Sequence, residues 1–192
     1  MFTRAMYGVS VVPAMALAKV FDFSKYKKMM DIDGGSGVYA IEVAKQNQNM
    51  SAVVLDLEPA CKIADEYISQ FNLQDKIYTQ VLDFWRDNLP TDCDVALLSH
   101  IIHLLDEEKD IYRSLPEDRN GVVIISEWFL NDEKTGPTSS ALMGLTMMLE
   151  VPEGRNYSFS EVSRMLTSVG FTNIEKKSLT GPAEIVIGYK KN

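Results

Sequence analysis

Cysteine and histidine are scarce: Cys61, Cys93, His100 and His103 are the only ones in 192 residues. Two thiols cannot build a disulfide framework, and two imidazoles in this arrangement give no zinc-type spacing, so both cysteines read as structural and no metal is expected. Long apolar runs are also missing. The start, Met1-Phe2-Thr3-Arg4-Ala5-Met6, has no extended apolar region, and no stretch approaches the roughly 18 uncharged apolar residues of a membrane span. The expectation is a cytoplasmic protein with no membrane partner. Positive charge is in deficit, with 19 Lys plus Arg against 27 Asp plus Glu and a net charge of −8. The pairs Lys27-Lys28, Lys176-Lys177 and Lys190-Lys191 are short and read as solvated ends of elements, which excludes nucleic acid as an expected partner. Internal repeats and low-complexity segments are absent. With 46% hydrophobic and 24% charged residues, the composition is that of one globular domain over residues 1–192.

Short runs rich in Val, Ile and Leu alternate with helical patterns. Met29 to Asp33, Ala52 to Leu57, Ile77 to Leu82, Asp94 to Ser99 and Val122 to Ser126 read as buried strands. Helices are expected over Val38 to Gln46, Pro59 to Phe71 and Asp106 to Leu115, the last with acidic residues at its start, as the helix dipole favours. After Gly136-Pro137 come a Met-rich helix and a second one over Ser158 to Ser168. Ile174 to Leu179 and Glu184 to Tyr189, separated by Thr180-Gly181-Pro182, read as a terminal hairpin. The fold class this order predicts is α/β and Rossmann-like: a mostly parallel sheet with an antiparallel terminal strand and helices on both faces.

The first strand runs into Asp33-Gly34-Gly35-Ser36-Gly37 and then a helix, a setting in which missing side chains let backbone N–H groups approach a ligand. Asp56 follows about 20 residues later at the end of the second strand, where an acid accepts hydrogen bonds from ribose hydroxyls. On that spacing NAD and S-adenosylmethionine are both admissible. Asp83-Phe84 closes the third strand, placed either to meet an adenine ring or to cap the turn before Pro90. His103, after the fourth strand, is the candidate general base, whereas His100 reads as a buried structural histidine. Glu127, at the end of the fifth strand, is placed to orient an imidazole or to make an ordinary turn contact. Met143, Met147 and Met148 share a helix near Trp128 and Phe129, either lining an apolar pocket or forming a core stripe.

Taken in order, these residues resemble the C-terminal catalytic domain of the plant-type, caffeate-like small-molecule O-methyltransferases. The likeness runs from Phe2-Thr3-Arg4-Ala5-Met6 and Ser10 through Asp31 to Gly37, Asp56-Leu57, Asp83-Phe84, the histidine segment and Glu127. It continues to Pro152-Glu153-Gly154-Arg155 and Glu161 to Phe171. The order and spacing of these patterns make the match specific. The resemblance implies S-adenosylmethionine as cofactor and methyl transfer to the hydroxyl of a small, aromatic acceptor, with His103 as base and Glu127 as its partner. It implies that Asp33, Gly34, Gly35 and Gly37 approach the methionine and ribose parts of the cofactor and that Asp56 with Leu57 meets the ribose. Asp83, Phe84 and Ser99 would lie at the adenine. Residues 1–28 would be a helical segment contributing Phe2 and Met6 to an acceptor pocket completed by Met143 and Met147.

The chain departs from that family's pattern at named positions. Asp33 stands where the family has a first glycine, Ser99 where a lysine is common, Leu104 where an acidic or polar residue follows the histidine, and Asn156 where a second glutamate helps hold it. The family's N-terminal helical domain, which dimerises and closes the acceptor pocket, has no counterpart here, so a homodimer or a separate N-terminal domain is the expected partner. Two other classes compete: a cofactor-binding module without turnover, suggested by Leu104 and Asn156, and a nicotinamide oxidoreductase, disfavoured because the loop departs from G-x-G-x-x-G spacing.

Overall fold

Successive strand residues face opposite sides, so a sheet covered on both faces needs apolar side chains at nearly every position. The computed structural model, which describes residues 2–104, 121–151 and 154–190, meets that demand. Its elements are α1 (Phe2–Val20), β1 (Lys28–Ile32), α2 (Val38–Gln46), β2 (Ser51–Asp56), α3 (Glu58–Gln70), β3 (Ile77–Val81) and β4 (Val95–Ser99), then β5 (Val122–Glu127), α4 (Thr138–Glu150), α5 (Phe159–Ser168), β6 (Phe171–Ser178) and β7 (Glu184–Lys190). Met29, Val54, Leu97, Ile124 and Ile187 point to one face, where they pack with Ala14 and Leu17 of α1 and Tyr39 and Ile41 of α2. Their neighbours Met30, Val53, Leu98, Ile125 and Val186 point to the other, against Phe129 and against Val162 and Leu166 of α5.

The strands lie in the order β3-β2-β1-β4-β5-β7-β6. β1 to β5 run parallel to one another, and β7 pairs antiparallel with both β5 and β6. This is the α/β Rossmann-like sheet expected from the sequence. The order reverses between β1 and β4, which opens a crevice at the carboxyl ends of the central strands. α1 covers that region from outside, held by Ala14 and Leu17 in the core and by Tyr7, whose ring stacks on Tyr67 of α3 at 4.3 Å. Ser158 starts α5 with a reciprocal capping box to Glu161.

Two expectations need correction. The third strand was expected to be buried, but β3 is an edge strand in which only Ile77 is buried and Val81 is 59% exposed, because it has a neighbour on one side alone. The hairpin begins at Phe171 rather than Ile174; the register shifts between Thr172 and Glu175, where Asn173 takes a φ of +49° and breaks the alternation that marks a strand. The helix expected over 106–115 lies outside the described residues, as do Pro152 and Glu153. Among the described residues no helix is long and apolar enough to cross a membrane.

Candidate active site

The loop after β1 is shaped by what its residues lack. Gly35 and Gly37 have φ of +58° and +70°, the left-handed region where a Cβ is costly, and Gly37 is the residue that starts α2. Gly34 is required by space instead: a Cβ there would lie 2.8 Å from Asp31 Cγ and 2.9 Å from Val54 Cγ1. The cradle is closed by Asp56 at the end of β2, whose Oδ2 accepts from Gly35 N–H at 2.8 Å and Oδ1 from Leu57 N–H at 2.6 Å. Asp33 occupies the left-handed region too, at φ +53°, which explains why glycine suits this position and why aspartate is among the few tolerated replacements.

Carboxyl groups crowd this edge. Asp31 is fully buried beneath Gly34; burial, with the charges of Asp56 and Asp33, pushes its pKa up to about 7 against the opposing backbone N–H of Ala40. Burial and neighbouring Asp56 push Asp33 up to about 6, while the interaction with His103 pulls the other way. Burial raises Asp56 as well, against the opposing hydrogen bonds from Gly35 and Leu57.

The turn after β4 and the end of β5 build a second cluster. Ser99 pairs with Ser126 in the parallel register, which sets the residues after β4 beside Glu127. Glu127 is fully buried, and three donors converge on it: His103 Nδ1 to Oε2 at 2.8 Å, His100 Nδ1 to Oε1 at 3.1 Å and Trp128 N–H to Oε1 at 2.9 Å. Burial alone would raise the pKa of Glu127, but the two imidazoles outweigh it and hold the carboxyl far below its ordinary range. For His100, burial opposes protonation, yet the bond to Glu127 and its charge prevail, and the pKa is raised. An ionised carboxylate only accepts, so Nδ1 of His103 carries the hydrogen and Nε2 is left as an acceptor. A ring oriented in this way can take a proton from a hydroxyl.

Both clusters open on one cavity of about 480 Å³. Of the residues singled out from the sequence, Asp33, Gly34, Gly35, Asp56, Ser99, His103, Phe2, Met6, Met143 and Met147 line it. Gly37, Leu57, Asp83 and Phe84 do not, and Glu127 sits behind the histidines. Asp83 Oδ1 accepts from Trp85 N–H at 3.0 Å, and Phe84 is buried edge-on to Trp85 at 5.5 Å, an arrangement that caps the turn after β3. Met148 points outward, 62% exposed, so the methionines of α4 split between cavity and surface. Sequence reasoning missed His100, which lines the cavity and shares Glu127; its φ of +55° follows from the turn and leaves no local signature. It also missed Tyr39 and Glu150 in the wall. Asn156 does not reach His103: its Nδ2 donates to Trp128 O and Ser140 O, at 3.0 and 2.9 Å, and fixes α4 against the end of β5.

Known proteins are similar to this chain in sequence and in fold. The chain is 32% identical over 197 residues to 3-hydroxy-5-methyl-1-naphthoate 3-O-methyltransferase of Streptomyces sahachiroi, covering 98% of this chain and 56% of that protein. It is 27% identical over 195 residues to the tetracenomycin polyketide synthesis 8-O-methyl transferase TcmO of Streptomyces glaucescens, covering 98% and 57%. The chain thus spans just over half the length of these two curated relatives. In fold it matches an O-methyltransferase family 2 protein of Planctomyces limnophilus DSM 3776 in complex with apigenin, with a TM-score of 0.90 and 24% identity over 98% of this chain and 59% of that one. Residues 1–172 match the O-methyltransferase domain family, and the chain belongs to that family.

Proposed function

We propose that this chain is an S-adenosylmethionine-dependent methyltransferase domain that methylates a hydroxyl of a small aromatic acceptor, with His103 as general base. The observation that carries the reading is the His103 Nδ1 to Glu127 Oε2 bond of 2.8 Å, made to a fully buried carboxylate at the wall of a cavity that also borders the glycine loop. The residues present fit the cofactor: Gly34, Gly35 and Gly37 leave a cradle that any Cβ would fill or strain, and Asp56 stands at its rim with lone pairs still free for ribose hydroxyls. In this reading Asp33 and Leu57 flank the ribose and methionine parts, and Ser99 borders the adenine with Asp83 and Phe84 beyond the cavity wall. When bound, the cofactor supplies an electrophilic methyl on a sulfonium.

The protein's own residues do the rest. His103 Nε2 accepts the hydroxyl proton as the oxygen becomes nucleophilic, and Glu127 holds the resulting imidazolium in place. Phe2 and Met6 of α1 and Met143 and Met147 of α4 bracket the acceptor from two sides, and their apolar surfaces suit an aromatic ring. The naphthoate and polyketide names of the two Streptomyces relatives support this class of acceptor. α1 and α4, which both supply residues to the cavity, also carry exposed apolar residues, among them Val9 and Val12 on α1 and Leu145 and Leu149 on α4, and these support a covering helical domain or second subunit of the kind the caffeate-like resemblance implies.

The test combines calorimetry with S-adenosylhomocysteine and turnover on a panel of hydroxyarenes, for the wild type and His103→Ala. Retained cofactor affinity with turnover reduced by about a hundredfold or more supports the reading; unchanged turnover removes His103 from the base role. A second reading, a cofactor-binding module without turnover, is favoured by the contacts of Asn156, which point away from His103. Cofactor binding with no methyl transfer by the wild type to any hydroxyarene selects it.

A further inference from the structure

The cavity wall is uniformly short of positive charge. Asp33, Asp56 and Glu150 line it, and among its described lining residues there is no lysine or arginine; the only basic side chains are His100 and His103. Asp33 carries its carboxyl at a φ of +53°, where glycine would be easier, so the side chain is present at a conformational cost.

The position of Asp33 follows from its neighbours. It interacts with the Asp56 carboxyl through charge and a side-chain hydrogen bond, and it also feels His103. Asp31 lies beneath it on β1, and Glu150 of α4 and His100 line the same cavity. In S-adenosylmethionine the sulfur is bonded both to the ribose methylene and to the methyl that is transferred. If the ribose is at Asp56 and the methyl is within reach of an acceptor at His103, the sulfur lies between those two groups, and Asp33, which lines the same cavity, interacts with both. We propose that Asp33 makes the cofactor site read charge, so that it holds the cationic sulfonium cofactor in preference to the neutral thioether product and gives up a proton when the cation enters. This rests on the assignment of the cavity as the cofactor site.

The proton has a defined place. Both oxygens of Asp56 already accept backbone N–H groups, which keeps that carboxyl the better anion of the pair, and the shared proton therefore resides on Asp33. Its raised pKa of about 6 leaves the free site partly protonated in mildly acidic solution. A sulfonium favours the ionised form and displaces the proton. Once the methyl has left, the cation is gone, the carboxyl takes a proton back, and the attraction that held the cofactor end is lost, which favours product release.

Calorimetry on the wild type, Asp33→Asn and Asp33→Gly tests this, with S-adenosylmethionine and S-adenosylhomocysteine each titrated in two buffers of different ionisation heat. Glycine relieves the left-handed backbone, so Asp33→Gly controls for any misfolding of Asp33→Asn. The ratio of sulfonium to thioether affinity is expected to fall about tenfold in both variants. In the wild type near the pKa of Asp33, binding the sulfonium should release up to about half a proton, the thioether none, and the release should vanish at about pH 8. An unchanged affinity ratio in both variants, or equal proton release for the two ligands, overturns the proposal. Failure of both ligands to bind the wild type overturns the cavity assignment itself, and this inference with it.

Discussion

Glu127→Gln is the substitution that separates charge from shape at the histidine cluster. Glutamine keeps one acceptor oxygen and replaces the other with a donor. The Oε1 position receives both Trp128 N–H and His100 Nδ1, so the amide oxygen belongs there and the NH₂ faces His103 Nδ1. Two donors cannot face each other, so His103 must move its hydrogen to Nε2 and loses the acceptor that points to chemistry. Nitrogen-15 shifts of the imidazole read this tautomer change directly, without an acceptor substrate. Turnover should drop by about a thousandfold or more, by the same logic that governs an aspartate-to-asparagine change behind a catalytic histidine, while affinity for S-adenosylhomocysteine stays within about twofold. For stability, three bonds to a buried carboxylate become neutral bonds or are lost, about 1 kcal/mol each, offset in part because an amide is easier to bury. The net cost is about 2 kcal/mol, a Tm drop of about 4–8 °C for a domain of this size.

The pH dependence of that cost has a sign. Glu127 is depressed below its ordinary 4.5, so its contribution is present above that value and is lost as pH falls through the depressed one. His100 is raised above 6.5, so its contribution is complete below 6.5 and is lost as pH rises through the raised value. The stability gap between wild type and Glu127→Gln is therefore widest between 4.5 and 6.5 and narrows on the alkaline side. Thermal melts from this plateau up through the raised pKa of His100 that show a gap constant with pH, or a His103 tautomer unchanged in the variant, would refute the reasoning.

Gly34→Ala places a Cβ 2.8 Å from Asp31 Cγ and 3.0 Å from Asp31 O, so β1 or the loop must shift; a loss of about 1–3 kcal/mol in urea unfolding and weakened S-adenosylhomocysteine binding are expected. Ser158→Ala removes the acceptor for Glu161 N–H in the capping box of α5, which does not line the cavity, and should lower stability by about 1 kcal/mol with cofactor affinity unchanged. Binding lost in Ser158→Ala would show that α5 and the cofactor loop are more tightly linked than their packing implies.

β1, β2, β4 and β5 were legible in the sequence because a strand buried on both faces needs an unbroken apolar run, and Met29-Met30, Val53-Val54-Leu55, Val95 to Leu98 and Val122 to Ile125 provide one. The run at Ile77 to Leu82 looks similar but forms an edge, since exposure depends on which strands flank it, and that order is a property of the whole sheet. The cavity residues were legible as types at spacings: glycines after one strand, acids after the first two, histidines after the fourth. What local pattern does not contain is the register that joins them. Parallel pairing of Ser99 with Ser126 puts the turn after β4 against Glu127, and the left-handed step at His100 lets His100 and His103, three residues apart, donate to opposite oxygens of one carboxylate. With that step, the carboxylate behind His103 is also bonded to a second imidazole, whose pKa it raises. The electrostatics of the candidate base therefore depend on a backbone conformation rather than on the catalytic pair alone.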